Sequence, residues 1–325
     1  MRVAIVGCGL IGQKRAAALR GCAVTVCCDL SRERAGKLAA GFPGCTVTTD
    51  WRHAVDSSDV DALLVATTHD SLAPITAAAV EAGKHVLVEK PAARYAGELD
   101  GIADMARRTG ALVRAGFNHR FHRAFRKARE IFESAALGDL MFIRGRYGHG
   151  GRLGYEQEWR ARPELSGGGE LIDQGVHLID LARWFLGDFP HVAGRAPTYF
   201  WNMPVEDNGF LLLETARGHV AFLHASWTEW KNLFSFEIAG RLGKLEISGL
   251  GGSYGVERLT WYRMSPEMGP PDTVTWEYPM ADDSWNAECA AFVTDIRLGR
   301  QPEPGIEDAQ AVLRIVEQVY RQDRA

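Results

Sequence analysis

Arg2-Val3-Ala4-Ile5-Val6-Gly7-Cys8-Gly9-Leu10-Ile11-Gly12 stands almost at the start of the chain, and its reading decides the fold. Arg2–Val6 is a short apolar run that reads as a buried strand, and the alanine-rich sequence from Leu10 to Leu19 reads as a helix. Between them lies G-x-G-x-x-G in the context it requires, with a strand before it and a helix after it. There Gly7 allows the tight turn, Gly9 lets backbone approach a pyrophosphate, and Gly12 permits close packing of helix on strand. Leu10 and Ile11 open the helix, whose free N–H groups and positive dipole end suit phosphate.

The stretches downstream repeat the alternation. A second strand, Ala23–Cys28, ends in Asp29, where an acidic residue can accept hydrogen bonds from ribose hydroxyls and repel a 2′-phosphate. That favours NAD, with NADP as the alternative because Arg32 and Arg34 are close by; Asp29 could instead cap the helix that follows. Cys45–Thr48 and Asp61–Ala66 read as further strands, Asp50 as the cap of a short helix, and Ser71–Ala82 and Tyr95–Arg108 as helices. His85-Val86-Leu87-Val88 is a buried strand ending in Glu89-Lys90-Pro91, and Ala111–Gly116 is the sixth. Six strands separated by helices specify an α/β fold, a doubly wound parallel sheet with strands one and four flanking the crevice. Lys90, at the carboxyl end of strand five, then points toward bound ligand; standing alone it would read as a surface lysine.

With 325 residues, 46% of them hydrophobic, the chain can bury a large core and divides into two domains, expected at 1–120 and 121–325. The last helix is a candidate to pack back on the first of them. A net charge of −4 gives no general attraction for nucleic acid or acidic membranes, so the basic run Arg120–Arg129 reads as a charged helix face. Six cysteines without C-x-x-C spacing, no signal-peptide pattern, and no apolar run near the ~18–20 residues of a membrane span point to a reduced, cytoplasmic protein.

Gly7 to Gly12, Ala82-Gly83-Lys84-His85-Val86-Leu87-Val88-Glu89-Lys90-Pro91 and Gly116-Phe117-Asn118 together resemble the Gfo/Idh/MocA oxidoreductase family. The resemblance implies that Lys90 belongs to an active site and that Lys90-Pro91 is cis; Thr67, Glu89 and Lys90 are candidate cofactor contacts. One loop departs from the family pattern: Ala66-Thr67-Thr68-His69-Asp70-Ser71-Leu72 stands where A-T-P-N-x-x-H is usual. His69 accordingly reads as a solvated loop histidine.

The rhythm changes after Gly138-Asp139. Leu140–Tyr147 alternates like a half-buried strand, and the run from Val192 to Tyr278 holds strands such as Gly209–Thr215, His219–Thr228, Leu233–Ile238, Lys244–Ile247 and Val256–Tyr262. The second domain is therefore α+β with an open, mostly antiparallel sheet, closed by helices at Ser284–Leu298 and Ile306–Asp323. Trp227, Trp230 and Phe236 read as core rather than as a subunit interface.

Between these strands lies the helix Glu170–Leu186. Its buried stripe is Leu171, Leu178, Ala182 and Phe185, widened by Ile172, Val176 and Ile179, while Asp173, His177 and Asp180 share another face. On spacing alone Asp173 and His177 form a structural pair. The whole stretch Gly167-Gly168-Gly169-Glu170-Leu171-Ile172-Asp173-Gln174-Gly175-Val176-His177, however, resembles the second-domain motif of the same family, which implies that Asp173 and His177 join Lys90 as catalytic residues. No third ligand at zinc-like spacing supports a metal.

The expected function is an NAD(P)-dependent dehydrogenase acting on a secondary hydroxyl of a sugar, nucleotide-linked sugar or cyclitol. His177 is the candidate base, Asp173 its orienting partner or a ligand of a neighbouring hydroxyl, and Lys90 the group on the reacting oxygen; Lys90 and His177 can exchange roles. Asn118, Arg152 and Arg160 are candidate substrate contacts, and Arg146, Arg152, Arg160 and Arg162 could meet a substrate phosphate or carboxylate. The alternatives are a non-catalytic NAD-binding regulator, or a hydrolase or epimerase with tightly held NAD. A homodimer or homotetramer through the second sheet is the expected assembly, with neither nucleic acid nor membrane as a partner.

Overall fold

A computed structural model of the chain describes residues 1–323. They divide into two compact units, the first made of Met1–Phe117 and Trp285–Leu313, the second of Asn118–Ser284 and the residues from Arg314 on.

The first unit is a parallel sheet of β1 (Arg2–Val6), β2 (Ala23–Cys28), β3 (Thr46–Thr48), β4 (Ala62–Val65), β5 (His85–Glu89) and β6 (Val113–Gly116), in the order β3-β2-β1-β4-β5-β6. The order reverses at β1 and β4, which are paired in register from Val3 opposite Ala62 to Val6 opposite Val65. Helices cover both faces, so the central strands are buried on both sides, and Ala62–Val65 is buried at every position. All six cysteines are free, and Cys8, Cys27, Cys28 and Cys289 are buried as small apolar groups.

Four readings change here. The helix expected at Tyr95–Arg108 is broken: a 3₁₀ turn at Ala96–Leu99 precedes a helix at Ile102–Thr109, with Gly101 at φ +76° between them. His69 opens the helix His69–Glu81 and is buried, so it is not a solvated loop residue. Asp29 does not cap the helix after β2; Ser31 does, its side chain accepting from the Arg34 N–H.

The fourth change concerns the domain division. Residues 285–313, which a boundary at 120 assigns to the second domain, belong to the first unit. The helix Ser284–Leu298 places Cys289 and Phe292 in the core around Ile5, Leu64 and Leu87. On the same helix Glu288 meets Arg15, and Asp295 meets Arg114.

The second unit is built on eight strands: β7 (Leu140–Gly148), β8 (His191–Arg195), β9 (Asn208–Glu214), β10 (Val220–Ser226), β11 (Leu233–Gly240), β12 (Gly243–Ser248), β13 (Glu257–Arg263) and β14 (Asp272–Tyr278). Their order is β14-β13-β12-β11-β7-β10-β9-β8, antiparallel throughout except for the parallel pair β7 and β10. Phe236 and Trp227 are fully buried, whereas Trp230 is 74% exposed. In the basic run after Phe117, Arg120 pairs with Asp180 and Arg123 with Asp283.

The helix carrying His177 (Val176–Leu186) packs on β7 and β10. It is preceded without a break by one wider π turn, Leu171–Gly175, a local widening of the helical ladder often met at functional sites. No helix of the described residues is long and apolar enough to cross a membrane.

Candidate active site

In the first unit the glycine-rich turn is shaped by close approach. Gly7 has φ +94°, and a Cβ there would lie 2.3 Å from the Ala66 carbonyl oxygen; a Cβ on Gly12 would lie 1.8 Å from the Gly7 carbonyl oxygen. Gly9 has open space where its side chain would be, and as the first residue of the turn into Leu10–Ala18 it offers that helix no side-chain cap. The first-turn N–H groups are therefore left to a ligand, and a phosphate is what such a helix end favours. Leu10 is 71% exposed at the mouth of this cradle.

Asp29 braces the turn from the next strand. Its Oδ2 accepts the Cys8 N–H at 2.9 Å, and its Oδ1 accepts the Ser31 N–H at 2.8 Å and Arg34 Nε at 3.0 Å. Arg34 is thus held by Asp29. Thr67 follows β4 at the packing point with Gly7, half-buried, its hydroxyl donating to the Thr68 carbonyl.

At the end of β5 the Ala92 N–H donates to the Glu89 carbonyl around a cis Lys90-Pro91 bond, so Glu89 to Ala92 form a type VI turn with Lys90 half-buried at its tip. Glu89, expected among the cofactor contacts, turns its Oε1 to Arg15 Nε at 2.6 Å. Arg15 lies on the phosphate-binding helix and also meets Glu288, so three elements are tied together behind Lys90.

In the second unit, sterics explain the triple glycine. A Cβ on Gly168 would strike the Tyr320 hydroxyl at 2.0 Å, and one on Gly169 the Glu206 carbonyl at 1.9 Å. Glu206 is the residue that sequence reasoning missed at this point. Its carboxylate accepts the N–H groups of Gly169 (2.9 Å) and Leu171 (3.1 Å) and the Tyr320 hydroxyl (2.6 Å). It therefore satisfies donors that the start of the helix would leave orphaned. Burial pushes its pKa up to about 7, against the pull of those donors.

Asp173 and His177 are both buried. Asp173 Oδ2 accepts Arg160 Nε at 2.8 Å, and Arg160 also lies 3.6 Å from Glu158. The Asp173 carboxylate raises the Arg160 pKa. Asp180, one turn beyond His177, takes both arms of Arg120 at 2.8 and 2.6 Å. His177 lies ring on ring with His119, the centroids 3.8 Å apart and the planes 21° from parallel. His119 carried no signal in sequence beyond its place after Asn118, because the stack is made by tertiary placement. Asn118 itself donates from Nδ2 to Ser284 Oγ at 2.9 Å. Arg152 pairs with Glu158 at 2.5 Å and is otherwise exposed.

Around Asp173 stand further polar side chains. Burial raises Tyr147 well above the ordinary tyrosine value and pushes Tyr254 up to about 12, so both stay neutral hydroxyls. His149 accepts the Gly151 N–H on Nδ1 at 2.9 Å, and burial lowers its pKa, so it is a neutral ring with its proton on Nε2. Among the described residues no group of three His, Cys, Asp or Glu is placed to hold a metal ion.

Comparison with known proteins agrees with these two halves. Residues 1–117 match the model of an oxidoreductase family with an NAD-binding Rossmann fold, and residues 125–246 that of a GFO/IDH/MocA C-terminal domain. Levoglucosan dehydrogenase of Pseudarthrobacter phenanthrenivorans is 31% identical over 195 residues, 59% of this chain but only 50% of that protein. Inositol 2-dehydrogenase 2 of Saccharopolyspora erythraea is 27% identical over 324 residues, 90% of this chain and 84% of its own. In three dimensions a levoglucosan dehydrogenase solved with NADH and levoglucosan superposes with a TM-score of 0.89 at 23% identity, covering 100% of this chain and 97% of that one; at that identity the likeness is one of fold. The chain belongs to the Gfo/Idh/MocA family of NAD-binding oxidoreductases.

Proposed function

We propose that this protein is an NAD-dependent dehydrogenase acting on a secondary hydroxyl of an uncharged sugar or cyclitol. One observation carries the reading: a buried helix start presents Asp173 and His177, with neutral hydroxyl and imidazole donors around Asp173, in a chain whose other unit holds a braced phosphate cradle.

Gly7, Gly9, Leu10, Ile11 and Gly12 hold the pyrophosphate against the helix start, Asp29 receives the ribose, and Thr67 borders the site. When bound, NAD supplies the acceptor for the hydride of the carbinol carbon. His177 takes the hydroxyl proton. Lys90 is assigned to stabilise the negative charge that develops on the reacting oxygen. Asp173, held by Arg160, accepts from a neighbouring hydroxyl.

The preference for an uncharged substrate rests on where the arginines are spent. Arg160 is tied to Asp173 and Glu158, and Arg152 to Glu158. Arg146 alternates to the other side of β7 from Tyr147 and is exposed. A nucleotide-linked sugar or sugar acid would find Arg152 and Arg160 already engaged. The relatives include proteins named for levoglucosan and inositol and others named for a dTDP-linked sugar, so the preference rests on the arginines alone.

The proposal extends to a cytoplasmic homo-oligomer formed through the second sheet. Leu212 on β9 and Phe222 on β10 are directly paired and remain 51% and 49% exposed, an apolar surface of the kind that associates.

Reduced-nicotinamide absorbance over a panel of inositols, anhydrosugars, glycosides, sugar acids and nucleotide sugars tests the assignment. Turnover on an uncharged member, lost by about a thousandfold or more in Lys90→Met and His177→Ala while NAD still binds, is the expected result. Turnover that survives in both variants would remove the assigned roles. A higher kcat/KM for a nucleotide sugar would overturn the uncharged class.

A further inference from the structure

We infer that His119 is a positioning residue for His177: its ring is the platform that fixes the plane of the imidazole taking the substrate proton. The inference rests on the reading of His177 as that base.

The geometry is specific to a platform. The two rings overlap face to face at 3.8 Å and 21°, and both side chains are buried. An imidazole on Cβ has two torsions to fix, and a flat neighbour at van der Waals distance restrains the second without engaging either nitrogen. The platform is itself restrained from three directions. Asn118 donates from Nδ2 to Ser284, which leaves its Oδ1 to accept from His119 Nδ1 at 3.3 Å. Tyr147 stands against the His119 ring at 5.2 Å, and His122 meets it edge-on at 5.4 Å while bonding Glu257 at 3.0 Å. Arg120, the next residue, clamps the 3₁₀ turn Asn118–Phe121 to Asp180, three positions beyond His177 on the same helix. Platform and base are thus fastened to each other by a bidentate ion pair one helical turn away.

The consequence is kinetic. Proton transfer falls steeply when the base is misaligned, and displacements near 1 Å can cost about a hundredfold. A leucine at 119 fills the volume but offers no flat face, whereas a phenylalanine keeps the face and loses the nitrogens.

The experiment compares His119→Leu and His119→Phe in the full chain, with an uncharged sugar or cyclitol that the wild type oxidises, reading kcat, both KM values and the solvent deuterium isotope effect on kcat. His119→Leu is expected to lose about 10- to 100-fold in kcat, with KM for NAD unchanged and a larger isotope effect as proton transfer becomes limiting. His119→Phe is expected to recover kcat to within about threefold of wild type. Wild-type kcat in the leucine variant, an equal loss in both variants, or a loss confined to KM would each overturn the inference. His177→Ala separates the two readings: turnover retained there removes the base assignment, whereas failure of the His119 pair alone leaves it standing.

Discussion

Arg160 Nε donates to Asp173 Oδ2 across 2.8 Å, joining the segment after the glycine-rich loop to the first turn of the helix that carries His177. Asp173 is buried, and burying a carboxylate is costly unless it is hydrogen-bonded. Arg160 is about one-quarter exposed at its side chain, 28%, so its charge is only partly screened. The pair holds the Asp173 carboxylate in place.

Arg160→Met should therefore lower kcat/KM for an uncharged sugar by about 10- to 100-fold, the scale of one charge-assisted hydrogen bond at about 1.5–3 kcal/mol. NAD affinity should not change. Steady-state kinetics with an uncharged sugar and a sugar acid side by side decide the matter: a loss restricted to the acid would mean that Arg160 meets the substrate instead.

Asp29 has two roles that substitution can separate. It braces the turn through the Cys8 N–H, and on the proposed reading its charge repels a 2′-phosphate. Asp29→Asn keeps the shape, removes the charge and releases Arg34. Calorimetric titration should show NAD binding weakened and NADP binding strengthened, each by roughly tenfold, or about 1.4 kcal/mol. An unchanged ratio of the two affinities would show that the carboxylate does not select the cofactor.

These two sites differ in how legible they were. Gly7 to Gly12, Asp29 and Lys90 could be read because each follows a strand of the regular alternation, and a strand end fixes where a side chain goes. Asp173 and His177 were readable as a spacing, yet their partners were not, since Arg160 and His119 come from irregular segments with no period to betray them. Glu206 is the extreme case. It sits in a loop between β8 and β9, and nothing near it in sequence shows that it will reach the N–H groups of Gly169 and Leu171. The same blindness misplaced residues 285–313: the apolar pattern of Ser284–Leu298 announces a helix, but not that Cys289 and Phe292 enter the first core. His69 failed for a simpler reason, because the helix begins at His69, after Thr68 as its N-cap, rather than at Ser71.

Glu206 gives a pH dependence of known sign. Burial raises its pKa from near 4.5 in the unfolded chain to about 7 in the folded one. The folded state binds the proton more tightly, so the contribution to stability is complete below pH 4.5 and is lost as pH rises through 7. The loss amounts to about 3 kcal/mol at most, from about 1.4 kcal/mol per pKa unit. In Glu206→Gln this component disappears. Urea unfolding at pH 5 and pH 8 should find the stability difference between wild type and variant shifting against the wild type at the higher pH. Parallel pH profiles for the two proteins would contradict the raised value.

Arg15 supplies the last prediction, since it is fully buried between two carboxylates, Glu89 before Lys90 and Glu288 on the helix Ser284–Leu298. Burial opposes its charge, but Glu288 and Glu89 outweigh that and hold its pKa above the ordinary range. Burial, helped by Glu89, pushes Glu288 up against the attraction of Arg15. Removing the guanidinium leaves two buried acids facing each other, which costs about 3–5 kcal/mol, or roughly 4–7 °C in Tm for a chain of 325 residues. Replacing the opposing acid as well removes most of that penalty, because an apolar pair of similar volume does not need the ion pair. Calorimetry on Arg15→Met, Glu288→Met and the double variant should therefore give a coupling energy of at least about 2 kcal/mol, with the double variant more stable than Arg15→Met alone. In the folded fraction of Arg15→Met, kcat should also fall, since Glu89 loses the contact that holds the turn bearing Lys90. Additive losses in the cycle, with kcat unchanged, would mean that the ion pair neither stabilises the first unit nor positions Lys90.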